Sequence, residues 1–198
     1  METYIQNMED KYRVVFKLKE KILNSLDGMA QVLVVPDKYF QEVLEKGKAI
    51  NGLYFLIFFS AFFGFMMGSL LSNLGLAIII AILFIVLGLL KIFIWSGISH
   101  LIAKFVFKGE GSFVPTFGLF GYAFVSFTLG IVGLATLMVA GTVFATFLMW
   151  LLMAVWFIVL ATVAVATEHK IGVGRAFLSV TGIPVLVIIV LSLIVGVL

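Results

Sequence analysis

The chain has 198 residues, 63% of them hydrophobic and 12% charged, with a formal net charge of +3. Soluble globular domains are about 45–50% apolar and about 25% charged, so this composition excludes an ordinary soluble domain. With no cysteine, a disulfide framework, a thiolate metal site and a cysteine nucleophile are excluded as well.

Residues 1–48 hold eight Lys or Arg and eight Asp or Glu. Met1 to Asp10 lacks the basic start and apolar core of a cleaved signal peptide, so the first apolar span is expected to act as an uncleaved insertion signal. Val15, Leu18, Ile22, Leu26 and Met29 recur at helical spacing opposite Lys17, Lys19, Glu20, Lys21 and Asn24. This pattern predicts an amphipathic helix of about Tyr12 to Gln31. Pro36, without an amide donor, breaks it. Asp37 is then expected to cap a short helix carrying Phe40, Val43 and Leu44 on one face, with Gly47 as its stop.

A first span is predicted from about Ile50 to Leu71, followed by a short turn at Ser72, Asn73 and Gly75. The second begins near Leu74. Lys91, one turn before Trp95, is expected to snorkel toward water. Gly97 to Phe107 is read either as a continuation of that helix or as an interfacial helix, with Ile98, Leu101, Ile102 and Phe105 on one face. Lys108 to Ser112 is a loop, and Pro115 suits the first turn of a third span of about Thr116 to Val139. A break at Ala140, Gly141 and Thr142 leads to a fourth span, about Val143 to Thr167. Glu168 to Arg175 is read as the next loop, and the fifth span as about Ala176 to Leu198. Pro184 beside Gly182 should kink that span, with Thr181 able to satisfy a freed backbone group.

From Ala49 onward only seven Asp, Glu, Lys or Arg residues remain. Lys91, Lys104, Lys108 and Glu110 lie in or near the gap between spans two and three; Glu168, Lys170 and Arg175 lie in the gap between four and five. The other two gaps carry no charge. Basic residues mark cytosolic loops, so five spans place the N-terminus in the cytosol and the C-terminus outside. Merging spans three and four would require a helix of about 50 residues, roughly 75 Å, against a bilayer core of about 30 Å.

Lys108 to Ala123 reads KGEGSFVPTFGLFGYA. This stretch resembles the Yip (Ypt-interacting protein) domain family, which places a Gly-x-Gly-x-Phe loop before its third span and Gly-Tyr-Ala early within it. Gly109, Gly111, Phe113, Gly121, Tyr122 and Ala123 match. Pro36 with Phe40 before the first span, and His169 with Arg175 and Ala176 before the last, extend the resemblance over about 36 to 198. It implies a five-span, N-in protein without known chemistry. Eukaryotic members act in early secretory traffic and bind Rab-type GTPases through their N-terminal region. The Asp-Leu-Tyr-Gly-Pro motif of that branch is absent here, so the resemblance is to the prokaryotic type and Rab binding does not transfer.

His100, Glu110, Glu168 and His169 all map to the cytosolic side and form the one weak candidate set for a divalent metal, without a diagnostic spacing. No intramembrane Asp pair, Gly-x-Ser-x-Gly or His-Glu-x-x-His motif occurs. Ser60, Gly64 and Gly68 form a small-xxx-small stripe suited to an intrachain helix contact or a homo-oligomer seam. Gly118, Gly121, Ala135 and the Gly130, Gly133 pair suit similar packing. Trp150 and Trp156 are read as packing or lipid contact rather than a ligand cage. The first amphipathic helix suits lipid headgroups, a cytosolic protein partner, or a cover over the ends of the spans.

The expected architecture is all-α: a cytosolic amphipathic segment, 1–48, and a five-helix transmembrane bundle, 49–198, in a prokaryotic plasma membrane. The expected function is non-enzymatic and cofactor-free: a membrane-organising, trafficking-type or partner-recruiting factor acting through its cytosolic face. Its partners would be the lipid bilayer, a cytosolic protein at residues 1–48 and a second copy of the chain; nucleic acid is excluded, since no basic stripe joins an aromatic reading surface. A small transporter or channel, as an oligomer, is the alternative. A metal-dependent membrane enzyme ranks third.

Overall fold

The computed structural model describes residues 19–20, 23, 26–71, 73–187, 189 and 192, which are helical or lie in short connections, with no strand among them. The expectations for Val15, Leu18, Ile22 and Asn24 fall outside the described residues. Residues 26–34 are helical, three residues beyond the expected end at Gln31. Val32 is fully buried, whereas Leu26 is exposed. Helix α1, Pro36–Glu45, follows with Pro36 in its first turn, where the missing N–H costs nothing. Asp37 is therefore inside the first turn rather than the cap; Val35 holds the cap position without a side-chain bond. Phe40 and Val43 face the core, and Gly47 ends the helix at φ 64°.

Four helices among the described residues are long and apolar enough to cross a membrane: α2, Ala49–Ser69; α3, Leu74–Val106; α4, Phe113–Ala140; and α5, Val143–His169. An apolar helix α6, Val173–Val187, follows; the rest of the expected fifth span lies largely outside the described residues. Gly97 to Phe107 continues α3 rather than forming a separate helix, and its last turn, Ile102–Val106, relaxes into a π-helix. At 33 residues α3 is about 50 Å long, so it tilts or projects beyond a core of about 30 Å. Its lipid-facing side is a continuous row of exposed residues such as Ile79, Ile82, Val86 and Leu90.

Helices α2 and α3 form a tight hairpin through small residues. A Cβ at Gly64 would lie 2.9 Å from the Ala81 Cα, and one at Gly68 would collide with Ala77. One at Gly88 would lie 2.9 Å from Ser60 Oγ. The Ser60, Gly64 and Gly68 stripe is thus occupied by α3 of the same chain, which lets the two backbones approach closely. A second crossing joins α2 to α4: Gly52 and Gly118 abut each other's segments, and Gly121 lies against Gly52. Gly130 and Gly133 accommodate Met153 and Met149 of α5. Trp150 donates to the Gly130 carbonyl at 3.2 Å; Trp156 packs half-buried against the core.

In α6 the backbone widens into a π-turn at Leu178–Gly182, just before Pro184. Pro184 has no N–H for the carbonyl four residues back, that of Val180. Trp95 Nε1 of α3 donates to that carbonyl at 2.8 Å. Thr181 does not take this role: its hydroxyl is buried without a partner among the described residues.

Candidate functional site

The start of α2, the end of α3, the start of α4 and the end of α5 meet at one end of the bundle. The turns around Asn73 and Gly141 form the opposite, uncharged end. Lys104, Lys108, Glu110, Glu168, Lys170 and Arg175 all belong to the first of these ends. Glu168 and His169 are not in the loop but in the last turn of α5, because the helix stops only where Lys170 adopts φ 53°. The Ile171 amide then closes on the Ala166 carbonyl at 3.2 Å, satisfying a terminal acceptor.

At the centre lies His169, fully buried. Its Nε2 is 3.3 Å from His100 Nδ1 of α3 and 3.2 Å from Thr116 Oγ1 of α4. The Thr116 hydroxyl has one proton and donates it to the Ser112 carbonyl at 2.7 Å. Toward His169 it is therefore an acceptor, so His169 Nε2 carries the hydrogen and shares it with His100 Nδ1. His100 then carries its own hydrogen on Nε2, and His169 Nδ1 is left as a bare lone pair. That atom is buried without a partner among the described residues. It faces Gly109, where a Cβ would lie 3.0 Å from Nδ1 and 2.8 Å from the His169 Cβ.

The 108–112 loop wraps this centre through its backbone. Gly109 N donates to the Ala103 carbonyl at 2.9 Å, and Glu110 N to the His169 carbonyl at 3.1 Å. Ser112 N donates to Glu168 Oε1 at 2.8 Å. A Cβ at Gly111 would stand 2.7 Å from the Glu168 carbonyl oxygen, so both motif glycines are demanded by close approach to α5. Phe113 meets the His100 ring edge-on at 6.0 Å. Outside, Lys170 pairs with Glu110 at 3.0 Å with both side chains largely exposed.

Of the four candidate metal ligands, the structure brings His100 and His169 together but turns Glu168 to the loop amide and Glu110 to Lys170. Among the described residues no group of three or more His, Asp or Glu side chains is placed to hold a metal ion. Tyr122 and Ala123 are buried at the foot of α4, where the Tyr122 hydroxyl donates to the Lys48 carbonyl at 3.3 Å. Ala176 is buried and Arg175 is exposed; the Arg175 carbonyl accepts from Ser179 Oγ at 3.0 Å. Lys91 Nζ lies 5.5 Å from the Trp95 ring and 5.8 Å from that of Phe157. Sequence reasoning missed Thr116 and Ser112. A hydroxyl one turn beyond Ser112 was the only local signal available, because His169 lies 53 residues downstream.

A bundle with four membrane-length apolar helices and its charge at one end defines a polytopic integral membrane protein. The chain belongs to the Yip1 domain family, which it matches over residues 30–194. No curated protein and no solved structure matches it.

Proposed function

We propose that the protein is a non-enzymatic, prokaryotic-type Yip-family factor of the plasma membrane that organises the membrane or recruits partners through its charged face. In this reading α6 begins a fifth span, the N-terminus is cytosolic and the C-terminus lies outside. One observation carries it: the motif loop, Glu168 and His169 are locked into a rigid polar plate, with Lys108, Glu110 and Lys170 left exposed on its outer surface. Such a plate presents exposed charges to a partner. Photo-crosslinking in cells tests this. Neighbours captured by the intact chain should be lost when residues 1–25 are deleted and Lys108 and Lys170 are changed to Glu. An unchanged set of neighbours would refute it.

A second reading, a small transporter or channel, draws on Lys91. This cation lines a cavity of about 180 Å³ with Ser60, Gly88, Phe124 and Phe127, and an ionisable group within a span often marks a pathway. Saturable flux in liposomes, lost in Lys91→Met and Pro184→Ala, would favour it. The close packing of Gly64 and Gly68 on α3 supports a sealed bundle instead.

A further inference from the structure

A groove of about 1170 Å³ opens between residues 26–31, α1 and the first turns of α2. Its size suits a small-molecule ligand. Its walls carry both signs of charge: Glu20, Asp27 and Glu42 against Lys46 and Lys48. Lys46 and Glu42 neutralise each other in an i,i+4 pair. Asp27 and Lys48 make no ion pair among the described residues. Asp27 accepts one hydrogen bond, from Gln31 Nε2 at 2.7 Å, and keeps further acceptor capacity.

Between these charges stand Tyr39, Tyr54 and Tyr122. The rings of Tyr39 and Tyr122 meet edge-to-face at 5.5 Å. Burial pushes the Tyr39 phenol up, and the ring is a neutral phenol at pH 7. A carboxylate beside aromatic faces is the chemistry that holds an organic ammonium group. A lysine without a carboxylate partner is the chemistry that holds a phosphate.

The groove opens beside the exposed face of the apolar helix α2. Tyr54, on its rim, is 72% exposed. Below it on the same face of α2, Phe58, Phe62 and Phe65 are exposed at helical spacing, with the Phe58 and Phe62 rings stacked at 6.3 Å. A free zwitterion would make no use of that ridge, whereas acyl chains would lie along it.

We propose that this groove binds a membrane phospholipid with a zwitterionic headgroup, its ammonium at Asp27 and the tyrosines, its phosphate at Lys48 and its acyl chains on the Tyr54 to Phe65 ridge. The test is native mass spectrometry of the full-length protein, released from detergent with added phosphatidylethanolamine or phosphatidylglycerol. Phosphatidylethanolamine should be retained about tenfold better, and Asp27→Asn, Lys48→Gln and Tyr54→Ala should each reduce its retention about fivefold at unchanged melting temperature. Lys48→Arg should retain it, which separates phosphate binding from loss of fold. Equal retention of phosphatidylglycerol, or variants that bind as the parent does, would overturn the assignment. Displacement by soluble glycerophosphoethanolamine at the lipid's own concentration would overturn its membrane source.

Discussion

Gly109 and Gly111 look alike in the sequence, as loop glycines with a turn to make, yet neither has a left-handed backbone. Their small size matters because α5 passes against them. Gly109→Ala should therefore lower the melting temperature in detergent, by about 1–3 kcal/mol of stability, as the loop is forced off His169. Lys108 carries the left-handed backbone instead, at φ 56°. Because Cβ disfavours that conformation, Lys108→Gly should raise the melting temperature, by about 0.5–1 kcal/mol. Glu110→Gln breaks an ion pair exposed to water and should shift stability by less than about 0.5 kcal/mol in the same assay. The motif glycines were legible as a pattern. Their partner was not, because Glu168 and His169 lie more than fifty residues downstream and no local signal links them.

At the scale of elements, Pro184 was expected to kink α6, which runs as one helix from Val173 to Val187; the donor to the Val180 carbonyl was not foreseen. A local reading selected Thr181, a near neighbour, whereas the fold supplies Trp95 from α3. Trp95→Phe removes that N–H and should destabilise the bundle by about 1–3 kcal/mol. Adding Pro184→Ala should recover part of the loss, since alanine restores an amide to the Val180 carbonyl. A double-mutant cycle of melting temperatures measures the coupling. The limits of α2, α4 and α5 were readable within a few residues, since apolar run length sets them. The last two residues of α5, Glu168 and His169, are polar and extend the helix past the apolar run, where they contact Ser112 and Thr116.

For the whole molecule, the clustering of charge predicts an experiment on orientation. The chain has no cysteine, so a single cysteine reports on one site. In the proposed topology, Glu110→Cys should react with a membrane-impermeant maleimide only after the cells are opened, and Gly141→Cys should react in intact cells. The reverse pattern would invert the proposed orientation. Composition, span length and the placement of Lys and Arg determined by themselves that this is a helical membrane protein with one charged end. Those properties follow from the transfer of apolar segments and charges between water and lipid, which each segment undergoes on its own. Only the tertiary structure decided that the Ser60 to Gly68 stripe meets α3, that His100 and Thr116 both meet His169, and that a mixed-charge groove opens beside Tyr54. Those depend on which helix faces come together, and in a chain whose spans are apolar all round, side-chain size and hydrogen bonding make that choice rather than hydropathy.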